Sequence, residues 1–353
     1  MKPPSRNPIF FRKPSVIKKI AVVLSLPIFL FSSVAFAAPV ESKPIRIGWV
    51  FAMANAPALI ADKKGFFAAE GLKVELKSFG DGPVVQQALS AGELDIAYIG
   101  APPVFQWYAR GLNSRILAKV NYGQAALITN ANSPIHSAAD LRGKKLAGVA
   151  KGSGMDVLLR GYVIKELARL EPDSDVNVVS MPVGNMNAAL ERGLVDAAFT
   201  WEPFVSDALL RGGTRVVVDI NQKIPSYPWY VVMAVPRTLA ERPEDVVKVL
   251  RAHRRAIAFL HDHVEESNRI IAEAFQIAPI KTADGKVIEP TSVVQEARKR
   301  LGWSDRVETA DLKFIQRLMD YSYALGYLNK QLRAAEVVDL SWQERAIKPA
   351  ARR

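Results

Sequence analysis

The chain has 353 residues, 47 Lys and Arg against 35 Asp and Glu, a formal net charge of +12 and no cysteine. Without cysteine there is no disulfide framework, thiol nucleophile or thiolate metal site, and the length suffices for a large core in about two domains. Beyond the N-terminal segment, no stretch clusters Lys and Arg or interleaves Arg with aromatics, so the charge is not the footprint of a nucleic-acid groove.

The chain opens with Lys2, Arg6, Arg12, Lys13, Lys18 and Lys19, an apolar run from Ile20 to Phe31, and the tripeptide Ala35-Phe36-Ala37. A basic segment, a short apolar segment and a small-residue site predict a secretory signal over residues 1–37. The run is too short, and too interrupted by Pro27, to be a comfortable membrane span. The signal's six cations account for half of the +12 and leave +6 on residues 38–353, a mild bias that favours approach of small anions.

After the signal, strands and helices alternate. Ile45–Val50 reads as a strand, followed by the small-residue loop Phe51-Ala52-Met53-Ala54-Asn55 and a helix ending near Gly65. Leu72–Leu76 is a strand of period two, Gly80-Asp81-Gly82-Pro83 a turn, Val84–Ala91 a helix and Leu94–Ile99 an apolar strand. The pattern restarts after Lys145: strand to Ala150, glycine loop Gly152-Ser153-Gly154, helix 155–170, strand 176–180, helix 185–191 and strand 195–199. Such alternation predicts an α/β fold with a largely parallel sheet.

The second half also repeats the first residue by residue. ALSAGELDIAYIGAPPVFQWYARG at 88–111 and ALERGLVDAAFTWEPFVSDALLRG at 189–212 share Gly92/Gly193, Asp95/Asp196, Pro102/Pro203 and Gly111/Gly212, among others. Two copies of one unit predict two similar lobes. The apolar segments 124–129 and 230–235 read as the two crossings between them. On this reading one lobe is 38–130 plus 229–353, with helices from Pro243 to about Glu344 broken at Gly302 and Gly326, and the other is an insertion, 131–228.

In each copy a strand ends in a turn and a helix begins with proline, and ligands of open α/β sheets sit at such ends, where helix N-termini present unpaired amides. Gly100-Ala101, Trp201-Glu202 and the Gly80 and Ser153-Gly154 loops are therefore expected to face a shared cleft that holds a small anion. Trp201, Tyr227, Trp229, Phe51 and Trp107 are candidates for an apolar wall. Glu202 admits three readings: a contact to a cationic group of the ligand, a latch between lobes, or an acid that favours the start of its helix. Chemistry on the chain itself is not expected. There is no Gly-x-Ser-x-Gly elbow and no histidine-rich ligand set, since His261 and His263 lie two apart while His136 and His253 stand alone.

The stretches GDGPVVQQALSAGELDIAYIGAPPVF, SPIHSAADLRGKKLAGVAKGSG and ALERGLVDAAFTWEPF resemble the periplasmic substrate-binding proteins of nitrate, sulfonate and taurine ABC importers, the aliphatic-sulfonate binders most of all. The resemblance runs in order from about Pro44 to about Glu344. It implies a periplasmic binding protein of type II, two α/β lobes joined by two crossing strands, monomeric and without cofactor. Such a protein closes on its ligand and docks on an inner-membrane permease with its ATPase. In that family the anionic head lies on the loops that here carry Ala54-Asn55, Gly80, Gly100-Ala101, Ser153-Gly154 and Trp201. Taurine-binding members carry an Asp just before the second crossing strand, where this chain has Ser226-Tyr227-Pro228-Trp229. That departure favours a plain sulfonate, with taurine, nitrate and thiamine-pyrimidine-like molecules as alternatives.

Overall fold

A computed structural model describes residues 43–225, 227–282 and 284–348. The secretory signal expected over residues 1–37 lies outside the described residues, as does Ser226. Among the described residues no helix is long and apolar enough to cross a membrane.

Eleven strands carry the two halves: β1 (Ile45–Val50), β2 (Val74–Phe79), β3 (Ile96–Gly100), β4 (Arg115–Lys119), β5 (Asn121–Gly123), β6 (Ala125–Asn130), β7 (Lys145–Gly148), β8 (Asn177–Ser180), β9 (Ala197–Trp201), β10 (Thr214–Asp219) and β11 (Tyr230–Ala234). One sheet has the order β2-β1-β3-β11-β4 and the other β10-β6-β9-β7-β8. Three strands of each run parallel, with β1 and β7 central to their triplets. Beside each triplet lies an antiparallel strand from the other part of the chain, β11 against β3 and β6 against β9. The two sheets are thus one architecture built twice. Strands β3, β9 and β11 are buried along their whole length, as expected of strands covered on both faces, and their near-continuous apolar sequences follow from that.

The shared residues explain why the unit repeats. Leu89 and Leu190 are buried under their sheets, and Gly92 and Gly193 turn the chain out of the preceding helix with φ of 74° and 67°. Asp95 then accepts the main-chain N–H of Arg46 at 2.9 Å, and Asp196 that of Lys145 at 2.7 Å. Each aspartate also donates its own N–H back to the same residue's carbonyl, at 2.9 and 2.8 Å. A helix end is thereby stitched to the first strand of its lobe, which sets the register of β3 on β1 and of β9 on β7. Burial pushes the Asp95 carboxyl up, but hydrogen bonds and charge from Arg46, with Arg237, hold it below its ordinary value.

The crossings are shorter than the sequence suggests. β6 and β11 each pair wholly within one sheet, and the chain passes between lobes just before them. There Gly123 donates to the Tyr227 carbonyl and Trp229 to the Asn121 carbonyl, both at 3.3 Å, around a bridge of Tyr122 and Pro228. Gly302, expected as a helix break, instead sits in a strand, Leu301–Trp303, which pairs with β5 and stiffens the crossing. The rest of the C-terminal segment is mainly helical. Pro243–Asp262 buries Val246, Val247, Leu250, Ile257 and Leu260, an apolar stripe at helix spacing.

Gly123 has φ of 71°, and a Cβ there would lie 2.2 Å from the Arg300 carbonyl oxygen. Gly123→Ala therefore meets both a left-handed backbone and a main-chain clash, and should cost at least about 2 kcal/mol in urea unfolding.

Candidate functional site

The cleft lies at the carboxyl ends of the parallel strands. The first lobe contributes Val50 at the end of β1, Asp81-Gly82 after β2, and Gly100 at the end of β3. The second contributes Val149 and Ser153-Gly154-Met155 after β7 and Trp201 at the end of β9; Trp229 and Tyr230 close the wall at the crossing. The cavity these residues enclose is about 20 Å³, room for a water-sized guest, so anything larger enters only when the lobes part.

Three helices begin on this cavity: Gly82–Ser90, Ala101–Ala109 and the helical run from Gly154, an α-turn Gly154–Val157 continued as a π-helix over Leu158–Leu167. Each turns the positive end of its dipole toward the same space; Pro83, Pro102 and Pro103 carry no N–H, and the Val84 and Asp156 amides are taken by the Asp81 and Ser153 caps. Two of the starts nearly touch, because a Cβ on Gly100 would lie 3.4 Å from the Gly154 Cα. Ser153 caps its helix by accepting the Asp156 N–H at 3.2 Å, which leaves its hydroxyl proton available to a guest. Trp201 is 3 % exposed, and its indole Nε1 has no hydrogen-bond partner among the described residues. A buried donor without an acceptor is costly, and here it belongs to a side chain that lines the cavity.

Of the residues expected at the site, the structure brings together Gly100, Ser153, Gly154, Trp201 and Trp229. The others lie outside the lining, each for a visible reason. Ala54 is buried, with its carbonyl taken by Trp303 Nε1 at 3.0 Å. Asn55 is turned inward, its Nδ2 donating to the Val50 carbonyl at 2.8 Å. Gly80 stands exposed one residue before the lining pair Asp81-Gly82, and Ala101 is covered within its helix. Tyr227 packs on Trp229 and Phe314, and its hydroxyl accepts the Ala125 N–H at 3.4 Å. Val50, Gly82, Val149, Met155 and Tyr230 carry no chemical signature that would single them out. Asp81 is signalled in the sequence by its place beside Gly80 in the turn Gly80-Asp81-Gly82. It is the one charged side chain among the described lining residues, and it caps its helix by accepting the Val84 N–H at 3.0 Å through Oδ1.

A family model of the NMT1-like family matches residues 38–276. The chain belongs to the NMT1-like family. This NMT1-like chain is also 28% identical over 340 residues to a putative aliphatic sulfonates-binding protein of Bacillus subtilis (strain 168), covering 94% of this chain and 97% of the relative. The solved alkanesulfonate-binding protein SsuA of Xanthomonas axonopodis pv. citri, bound to MOPS, superposes with a TM-score of 0.70 at 22% identity, covering 85% of this chain and 99% of that one. The desulfurization enzyme DSZB superposes with a TM-score of 0.61 at 17% identity, covering 86% and 99%. The fold is that of the two-lobed periplasmic binding proteins.

Glu202 performs two of the three roles read from the sequence of this NMT1-like protein. Fully buried, it accepts the Ser206 N–H at 3.0 Å in the first turn of the helix Phe204–Arg211, and Arg300 Nη1 at 3.1 Å from the segment leading into Leu301–Trp303. It therefore both supports its helix and ties the second lobe to the stiffened crossing. Burial raises its carboxyl above the ordinary value, and Arg300 and Ser206 offset only part of that. Arg300→Met should cost about 3 kcal/mol or more at pH 7, because it leaves a buried carboxylate unpaired. A group held above its unfolded value stabilises fully below that value, near 4.5, and loses the contribution as pH rises through the folded one. The deficit of Arg300→Met should accordingly shrink at pH 4, which urea unfolding at the two pH values measures.

Proposed function

We propose that this protein is the periplasmic solute-binding component of an ABC importer, capturing a small organic anion, an aliphatic sulfonate, between its lobes and presenting it to a permease and its ATPase. In this role it works as a monomer and performs no chemistry on its ligand. The lobes that close are 38–130 with 229–353, and 131–228. The observation that carries the reading is the unpartnered Trp201 indole N–H in a cavity where three helices begin. Such a donor set suits a sulfonate. The group is the conjugate base of a strong acid, so it stays charged at any physiological pH, and main-chain amides and dipoles hold it without a basic side chain. The sulfonate-binding relative, matched over nearly its whole length, supports the same ligand class.

Asp81 supports a narrower second reading. A carboxylate in an anion cavity repels a plain alkanesulfonate and attracts a zwitterion whose ammonium can reach it, as in 2-aminoethanesulfonate (taurine). Asp81 would then supply the acid whose absence before β11 argued against taurine.

Calorimetry on the mature chain with ethanesulfonate, taurine, MOPS and nitrate tests both readings. Saturable binding of a sulfonate is expected, and heat with none of them would overturn the ligand assignment. Trp201→Phe should weaken sulfonate binding about tenfold or more, the value of a hydrogen bond to a charged group, with its urea midpoint close to wild type. Asp81→Asn keeps the helix cap. It should cost taurine about tenfold and leave ethanesulfonate unchanged or tighter, whereas equal effects on both would remove Asp81 from ligand selection.

A further inference from the structure

The glycine loop of the second lobe is held from the first. Gly152, with φ of 80°, donates its N–H to Asp156 Oδ2 at 2.9 Å, and its carbonyl accepts Gln106 Nε2 at 2.9 Å. Gln106 belongs to the first-lobe helix Ala101–Ala109. Asp156 is 1% exposed and organises the loop from within. Its N–H reaches Ser153 Oγ, its Oδ1 takes Arg160 Nε at 2.6 Å, and its Oδ2 also accepts the Tyr327 hydroxyl at 2.7 Å. Tyr327 follows the helix Thr309–Ala324. That helix is anchored to the first lobe by the buried Lys119–Asp311 pair at 2.8 Å.

The same helix grips the second lobe further along. Arg317 and Tyr321 both bond Glu166, and Arg317 lies over the Tyr162 ring at 4.9 Å. The Tyr321 ring is packed so closely on Gly161 that a Cβ there would come within 2.4 Å of it. Separating the lobes must break the Gln106 and Tyr327 bonds to the loop, which end on Gly152 and Asp156, the residues on either side of Ser153-Gly154-Met155.

We infer that Tyr327 and Gln106 are positioning residues that couple lobe closure to the ligand loop: only the closed arrangement holds the Ser153 hydroxyl and the Gly154 amide aimed at the guest. The inference rests on the sulfonate-binding reading for its ligand but not for its geometry. It predicts that ligand and clasp stabilise each other, since whatever binds the aligned loop favours the closed state.

Tyr327→Phe removes one hydroxyl and keeps the ring, and Gln106→Leu keeps the volume; both are made in the full mature chain. Amide hydrogen exchange without ligand should quicken about tenfold at Gly152–Asp156 in each variant, with exchange in the core of both sheets unchanged. Where ethanesulfonate binds the wild type, stopped-flow mixing should show its dissociation about tenfold faster, with association little altered. Unchanged loop exchange overturns the coupling. So does exchange rising equally through both lobes, which would make Tyr327 and Gln106 general supports. Should the wild type bind no sulfonate, the ligand assignment fails on that result alone, and the exchange comparison still decides the clasp.

Discussion

The cleft depends on a close approach of backbone to backbone. Gly100 ends the third strand of the first sheet and Gly154 begins the helix after the first strand of the second, and no side chain on either keeps them apart. Two helix N-termini are thereby brought to one space from opposite lobes, with a third, capped by Asp81, beside them. The electrostatic consequence follows from geometry: the positive ends of three helix dipoles meet at a wall whose one charged side chain, among the described lining residues, is Asp81. An anion held in this way is neutralised by the fold itself, and the lobes that carry the helices must be in register for it to happen.

Register is kept by polar contacts at both ends of the sheets, with the buried Asp95 and the exposed Asp196 at the amino ends of the parallel strands, opposite the cleft. Asp95 and Asp196 fix each helix end to its own first strand. Glu202 and Arg300 fix the second lobe to the reinforced crossing, and the strand Leu301–Trp303 holds that crossing against β5. These contacts reach both sheets and the crossing between them. A closed, aligned cleft is therefore one arrangement of the whole chain rather than a property of any loop.

Much of this was legible in the sequence because it depends on periodicity and on glycine and proline. The repeat of Gly92-to-Gly111 at Gly193-to-Gly212 revealed two like lobes, and Ser153, Gly154, Trp201 and Trp229 fall together in the cavity. What was not legible depends on direction. Asn55 and Tyr227 stand in the loops expected at the cleft, but their side chains turn toward the Val50 carbonyl and the Ala125 amide. Glu202 is claimed by Arg300, 98 residues away, a partner no local pattern announces. Strand Leu301–Trp303 escaped because Gly302 reads as a helix break unless β5, its partner, is known. Asp81 carries no distinct sequence signal beside Gly80, since an N-cap and a ligand contact ask for the same residue type.

On the proposed function, the two lobes meet around a small anion at the helix starts of Gly100 and Gly154. A crystal structure of the mature chain grown with ethanesulfonate tests it most directly. The sulfonate oxygens should lie within about 3 Å of the Trp201 Nε1, the Ser153 hydroxyl and the Gly154 amide. A sulfonate bound away from those donors, or a cleft that stays empty at saturating ligand, would contradict it.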